Sequence, residues 1–299
     1  MYTRPARRSD LPALAVLSAV AWTDDPVFEL ICPNRARYPH AFESMFLQGF
    51  RRSIVDLAVA FWVCVAAEDE DDAELCEMLR RRETEGKESL RVVSQTGRTD
   101  FILGYAIWTF HGMDAPVPTM VANKLFNSIE STLLNLEDIY TTRLLASPPL
   151  FNQPLRQAFN SLRRPFSTIY PHITPSLQLS NLGCAPWAQR RGVGTRLMAW
   201  GLNVARQNEM VCELTASVLG QGLYAKSGFL VVDWPGMAVG EGGARMVFDP
   251  TLGEGDRREG RWIVREGDLE VERWGRKRRV EARMKRREEM GRSGEQAEG

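Results

Sequence analysis

The chain has 299 residues, 44% of them hydrophobic and 25% charged, and its 38 Lys and Arg balance its 38 Asp and Glu. That make-up is ordinary for a soluble globular protein with room for one large domain or two small ones. The balanced charge offers no net positive field to nucleic acid or to an anionic membrane.

Ser9 and Asp10 stand as caps before a stretch in which Leu11, Leu14, Val16, Leu17 and Val20 recur at helical spacing. Pro26 disfavours helix at Asp25 and predicts a break there. Residues 26–31 and 39–56 again read as helical. Phe42, Met45, Phe46, Phe50 and Ile54 fall three and four apart and mark a core-facing side, with the lining of a ligand groove as the alternative. Residues 58–67 are β-branched and aromatic and read as a central strand; they form about half the length of a membrane span. Residues 68–97 carry mixed charge and few apolar side chains, which predicts a solvated loop or an exposed helix. A second strand is expected over 100–109, antiparallel to the first. After a break at 112–118, Val121, Leu125, Ile129, Leu133, Leu136, Ile139, Tyr140 and Leu144 form a long helix-period stripe, stopped by Pro148 and Pro149. With a shorter helix near 154–163, this makes a helical insertion over about 112–175, packed against the sheet.

The stretch from Ser176 onward organises the chain. Ser-Leu-Gln-Leu-Ser alternates as a strand, and Pro186 ends it by denying a backbone donor. Gln189, Arg190, Arg191, Gly192, Val193, Gly194 and Thr195 then form a turn, and Leu197, Met198, Gly201, Leu202, Val204 and Ala205 give the following helix an apolar face. A strand feeding a glycine-bearing turn at a helix N-terminus is an anion site, because unpaired N–H groups and the positive dipole end point outward together. Leu197 occupies the third glycine position of the dinucleotide fingerprint, and the Lys-Ser/Thr ending of a P-loop is missing. Beyond a glycine-rich loop at 236–243 and a last strand at 244–248, the chain turns Arg- and Glu-rich. Its basic run from Arg273 to Arg287 reads as an exposed helix or a disordered tail.

The pattern Leu-x-Cys-x-Pro-x-x-Gln-x-x-Gly-x-Gly, Leu182 to Gly194, resembles the acetyl-CoA-binding motif of the GCN5-related N-acetyltransferase (GNAT) superfamily. Gly-Leu-Tyr-Ala-Lys-Ser-Gly-Phe, Gly222 to Phe229, resembles that family's second signature, and Asp-Pro-Val-Phe at 25–28 is similar to fungal members. The resemblance implies an α/β (α+β) fold: a mixed, mostly antiparallel sheet flanked by helices and splayed between two central strands. It implies a GNAT domain over 1–250, elaborated by the helical insertion, and a charged extension over 251–299. Acetyl-CoA would be the co-substrate, with no metal. Backbone groups at Leu182, Gly183 and Cys184 would pair with the pantetheine arm, and amides of Gln189 to Thr195 would hold the pyrophosphate. Cys184 would be a small buried side chain and not a nucleophile. Tyr224 would be the general acid that protonates the departing thiolate.

The resemblance leaves the base open. The strand offers Gln178, Ser180 and Asn181, none of them a good base. Asp24, Asp25 and a water relay are the candidates. A GNAT-like protein that binds acyl-CoA or a partner without turnover is therefore the alternative to an N-acetyltransferase acting on a primary amine. Nucleic acid is expected at most through the basic tail, and no membrane partner. The five cysteines, Cys32, Cys64, Cys76, Cys184 and Cys212, show no C-x-x-C spacing. They read as reduced thiols of a cytoplasmic or nuclear protein. The three histidines, His40, His111 and His172, are scattered, so a metal site built from them needs tertiary coincidence.

Overall fold

The computed structural model describes residues 1–67, 72–86, 89–93, 97, 99–115, 124–143, 150–162, 175–233, 244–251 and 261–263. The chain forms two compact units, Met1–Arg164 with Leu177–Val204, and Pro165–Ser176 with Ala205–Gly299.

The first unit is built on the two strands expected in the middle of the sequence, β2 (Val59–Ala67) and β4 (Thr99–His111), which pair antiparallel. All of β2 but Trp62 is buried, because helices cover both faces. On one face lie α1 (Leu11–Trp22) and α3 (Pro39–Val55). There Phe46, Phe50, Phe61 and Tyr105 form a run of ring contacts 5.0 to 6.3 Å apart. On the other face lies α7 (Val193–Gln207), whose Trp200 stacks on Trp62 with ring centroids 4.9 Å apart. The helix-period phenylalanines of α3 are therefore core, as their spacing suggests: Phe42, Phe46, Phe50 and Ile54 are all buried.

Two parts of this unit go beyond the sequence reading. The polar N-terminus is a strand, β1 (Tyr2–Pro5), antiparallel to β2. It is held by Tyr2 Oη donating to Asp100 Oδ2 at 2.8 Å and by a buried Arg4–Asp10 ion pair at 2.6 Å. The charged stretch 68–97 holds a helix, one of its two sequence readings, but that helix is not wholly exposed. Its helix α4 (Ala73–Thr84) buries Leu75, Cys76 and Leu79 and packs on β2, while β3 (Arg91–Val93) pairs with β4. Three apolar residues at helical spacing suffice to bury one side, and the charges occupy the other.

The insertion supplies α5 (Lys124–Arg143) and α6 (Gln153–Leu162). Helix α5 packs on α3, with Leu134 buried and Asn127 Nδ2 donating to the Val55 carbonyl at 3.1 Å. Its stripe does not face the sheet, however. Ile129, Leu133 and Leu136 are 49%, 59% and 57% exposed. Leu134 and Asn127 face inward, and Arg8–Glu130 and Arg51–Glu137 salt bridges lie at the solvent-exposed edge of the helix. The side chains of Val121, Leu125, Ile139, Tyr140 and Leu144 lie outside the described residues.

The expected strand after Pro175 is β5 (Ser176–Cys184), the neighbour of β4 in the order β1-β2-β4-β5. In the second unit, β6 (Val211–Ala216) and β7 (Leu230–Asp233) each pair antiparallel with β8 (Ala244–Phe248), and β9 (Arg261–Ile263) lies parallel to β7. Helix α8 (Gln221–Lys226) connects β6 to β7. The architecture is thus mixed α/β, dominated by antiparallel pairing and flanked by helices. The loop at 236–243 and the basic run at 273–287 lie outside the described residues. Among the described residues no helix is long and apolar enough to cross a membrane, and no cluster of His, Cys, Asp or Glu could hold a metal.

Candidate functional site

The site begins where β5 runs beside β4. As residue numbers rise along β4 they fall along β5: Tyr105 meets Gly183, Thr109 meets Ser180, and His111 meets Gln178. A Cβ on Gly183 would sit 2.4 Å from the Tyr105 ring, so the ring can lie flat on the strand only over glycine. Above that contact, Trp22 Nε1 donates to Tyr105 Oη at 3.3 Å, and Tyr105 Oη donates to Asn181 Oδ1 at 3.4 Å. Ser180 and Asn181 are adjacent in sequence, yet both reach the same β4 row, Tyr105 and Thr109. The strict alternation of β5 is broken between them.

From Leu182 the strand leads to the predicted cofactor-binding residues. Gly183 is buried, while Leu182 and Cys184 are half-buried. The Ala185 amide donates to the Leu103 carbonyl at 2.9 Å, which anchors the strand end to β4. The Cys184 thiol donates to the Ala185 carbonyl at 3.6 Å. Burial, with the Cys64 thiol acting in the same direction, pushes its pKa up to about 12. A thiol so held stays protonated at neutral pH and is no nucleophile.

A short 3-10 turn at Pro186–Ala188 follows, with the Arg82 guanidinium 4.0 Å above the Trp187 ring. This cation–π contact ties helix α4 to the turn. The chain then bends through two left-handed residues, Arg190 at φ 61° and Gly192 at φ 82°, before α7 starts at Val193. Alternating handedness turns successive N–H groups toward one concavity, which binds anions. Gln189, Arg190, Arg191, Gly192 and Thr195 are exposed, Gly194 is half-buried, and Val193 is buried. A Cβ on Gly192 would meet nothing within 4 Å, so there is open space at the cradle. The first-turn amides of α7 have no intrahelical acceptor and stand at the positive end of a 15-residue helix.

Tyr224 lies in the other unit, on α8. It is 8% exposed and packs edge-on against Phe229 at 6.0 Å. Among the described residues its hydroxyl has no hydrogen-bond partner. Burial pushes its pKa up to about 12, so the phenol carries its proton throughout the neutral range.

Asp25, a candidate base in the sequence, caps α2 (Pro26–Ile31): its carboxylate accepts from the amides of Val27 and Phe28 at 2.9 and 3.1 Å. Asp24 is exposed beside it. Tyr105 and His111 did not stand out in the sequence. Their signal is parity: Tyr105, Thr109 and His111 share one side of β4. The alternation predicts a strand ending at Thr109, two residues short of His111.

No family model matches the sequence, and no curated protein matches it. Among solved structures, the chain is similar to a histone acetyltransferase HPA2-related acetyltransferase from Corynebacterium glutamicum, at 17% identity over 85% of this chain and 98% of that one, with a TM-score of 0.44. It is also similar to the PaiA N-acetyltransferase of Thermoplasma acidophilum, solved in complex with coenzyme A, at 11% identity over 83% of this chain and 97% of that one, with a TM-score of 0.41. A third is the polyamine N-acetyltransferase of Drosophila melanogaster, which forms N-acetylagmatine, at 13% identity over 83% and 98% and a TM-score of 0.35. Likenesses at these scores transfer no residue and no substrate to this chain.

Proposed function

We propose that the chain is an acetyl-CoA-dependent N-acetyltransferase acting on a primary amine. The observation that carries this reading is the cradle at 189–195: two left-handed residues delivering strand β5 into the exposed N-terminus of α7, on residues that carry the GNAT-like motif. Backbone donors are what a pyrophosphate needs, because they hold its charge without a metal and leave room for the ligand where a side chain would intrude. Amides of Gln189 to Thr195 hold the pyrophosphate, and Arg190 and Arg191 add positive charge at the rim. Leu182, Gly183 and Cys184 present strand backbone to the pantetheine arm, an added-strand mode of recognition.

In this reading the amine attacks the thioester carbonyl directly. Backbone N–H at the end of β5 stabilises the oxyanion, and Tyr224 donates its proton to the departing thiolate. The GNAT-like motif at Gly222–Phe229 is what assigns that role, and burial keeps the phenol protonated at neutral pH. Calorimetry with acetyl-CoA, followed by a panel of amines read by release of free CoA thiol, tests the reading. Binding with thiol release on at least one amine class is expected. Absence of binding ends it, and binding without release for any amine leaves only a non-catalytic acyl-CoA protein. Tyr224→Phe keeps the Phe229 contact and is expected to lower kcat tenfold or more with acetyl-CoA affinity unchanged. Undiminished turnover removes Tyr224 from the acid role.

A further inference from the structure

The proposed reaction needs a group that takes a proton from the amine, and β5 itself carries none. The neighbouring strand does. The last residue of β4, His111, places its Nε2 3.2 Å from Gln178 Oε1. Ser180 Oγ donates to the same oxygen at 3.5 Å and lies 2.7 Å from Thr109 Oγ1. The tautomer that satisfies this contact with a carbonyl oxygen carries its proton on Nε2 and leaves the lone pair on Nδ1. Among the described residues Nδ1 has no hydrogen-bond partner. The ring is half-buried, so it is reachable from outside.

Resting on the acetyltransferase reading above, we infer that His111 is the general base of the reaction, with Gln178 as the positioning residue that fixes its tautomer. Three observations converge on it. First, geometry: Gln178 stands four residues before Leu182, about 13 Å along an extended strand. At that separation the proton would pass between the imidazole and an amine at the thioester through a relay of bridging waters, not by direct contact. Second, chemistry: the polar side chains around this end of the strand pair, Thr109, Gln178, Ser180 and Asn181, are uncharged and cannot accept a proton, whereas a neutral imidazole can. Third, electrostatics: burial lowers the pKa of His111 below the ordinary histidine value, Gln178 opposes this more weakly, and no charged side chain contributes. The imidazole is therefore neutral at physiological pH.

Through water, Nδ1 takes one proton from the bound ammonium and releases it to solvent, and the freed lone pair attacks the thioester carbonyl. As the C–N bond is completed and the C–S bond breaks, the nitrogen gives its second proton to Nδ1 by the same water route and the sulfur takes the Tyr224 proton. The imidazolium loses its proton to water and the phenolate regains one from water, so each turnover yields amide, free CoA thiol and one proton to solvent. The sign of the pH dependence follows: kcat holds through neutral pH and falls as acid protonates His111, with a midpoint below that of an ordinary histidine.

The test compares full-length wild type with His111→Gln and His111→Ala in steady-state turnover, acetyl-CoA calorimetry and kcat–pH profiles. His111→Gln should lower kcat roughly 10²-fold or more while leaving the acetyl-CoA Kd unchanged, and the acid limb should vanish. Added imidazole should restore part of the activity of His111→Ala, a rescue that a merely structural role would not give. Gln178→Leu should lower kcat less and shift the acid limb. His111→Gln that turns over within threefold of wild type, or keeps the acid limb, overturns the assignment and leaves the acetyltransferase reading standing. Wild type that binds acetyl-CoA yet acetylates no amine overturns both the assignment and the catalytic half of that reading. Wild type that does not bind acetyl-CoA at all overturns the reading itself.

Discussion

Gly192 shows how one residue can carry both a backbone requirement and a ligand requirement, and how the two can be separated. Its φ of 82° is left-handed, a conformation that costs a residue with a Cβ roughly 1–2 kcal/mol. The direction of its Cβ is open, so no collision adds to that. Gly192→Ala should therefore cost only the strain, seen as a lowered Tm and a few-fold weaker acetyl-CoA binding as the turn relaxes. Gly192→Asp carries the same strain and also sets a carboxylate against the pyrophosphate. It should weaken binding by a further tenfold or more, and salt should relieve that excess. Equal affinities for the two variants in calorimetry would place the phosphates elsewhere. Arg190 already bears the same left-handed cost at φ 61° without being glycine, and strain of this kind is retained where a site demands it.

At the scale of elements, the sequence was legible wherever period and burial agree. Helix α3 and strands β2 and β4 followed directly from apolar spacing. Where they differ, tertiary contacts decided. The apolar period of α5 marks a helix but not its rotation, which in the fold turns Leu134 and Asn127 inward and leaves Ile129, Leu133 and Leu136 exposed. The charge density of 68–97 hid Leu75, Cys76 and Leu79, because three buried positions are enough once β2 lies beneath them. The turn at 189–195 was readable because left-handed backbone leaves glycine in the sequence, as at Gly192. The His111–Gln178 pair was not, because it joins two strands whose register only the fold supplies. Asp25 illustrates the converse. Its sequence position suggested a base, but its carboxylate is spent on the Val27 and Phe28 amides. Asp25→Ala should lose about 1 kcal/mol of stability as those amides lose their cap. It should leave the kcat–pH profile unchanged. A loss of turnover comparable to that of His111→Gln, at intact Tm, would return Asp25 to candidacy.

At the scale of the whole molecule, the C-terminal end poses the sharpest question, because the composition boundary and the strand boundary do not coincide. The Arg- and Glu-rich stretch starts at about residue 251, yet β9 at Arg261–Ile263 pairs in parallel with β7, so at least that segment belongs to the second unit. Strand β7 has β8 on one side and β9 on the other. Cutting the chain after Pro250 strips β9 away and leaves the backbone donors and acceptors of β7 facing solvent, an unprotected edge that invites pairing with other chains. Cutting after Ile263 keeps that edge covered. The cradle at 189–195 is built entirely from residues before both cuts. The 1–263 chain should therefore match the full chain in Tm, in acetyl-CoA affinity and in monodispersity by light scattering. The 1–250 chain should bind acetyl-CoA with similar affinity but melt several degrees lower and self-associate as concentration rises. A 1–250 chain with unchanged Tm and no association would show that β9 contributes no stability. A 1–263 chain that loses acetyl-CoA affinity would show that the basic run is part of the ligand site, a role in which its arginines would hold phosphate with a steep dependence on salt.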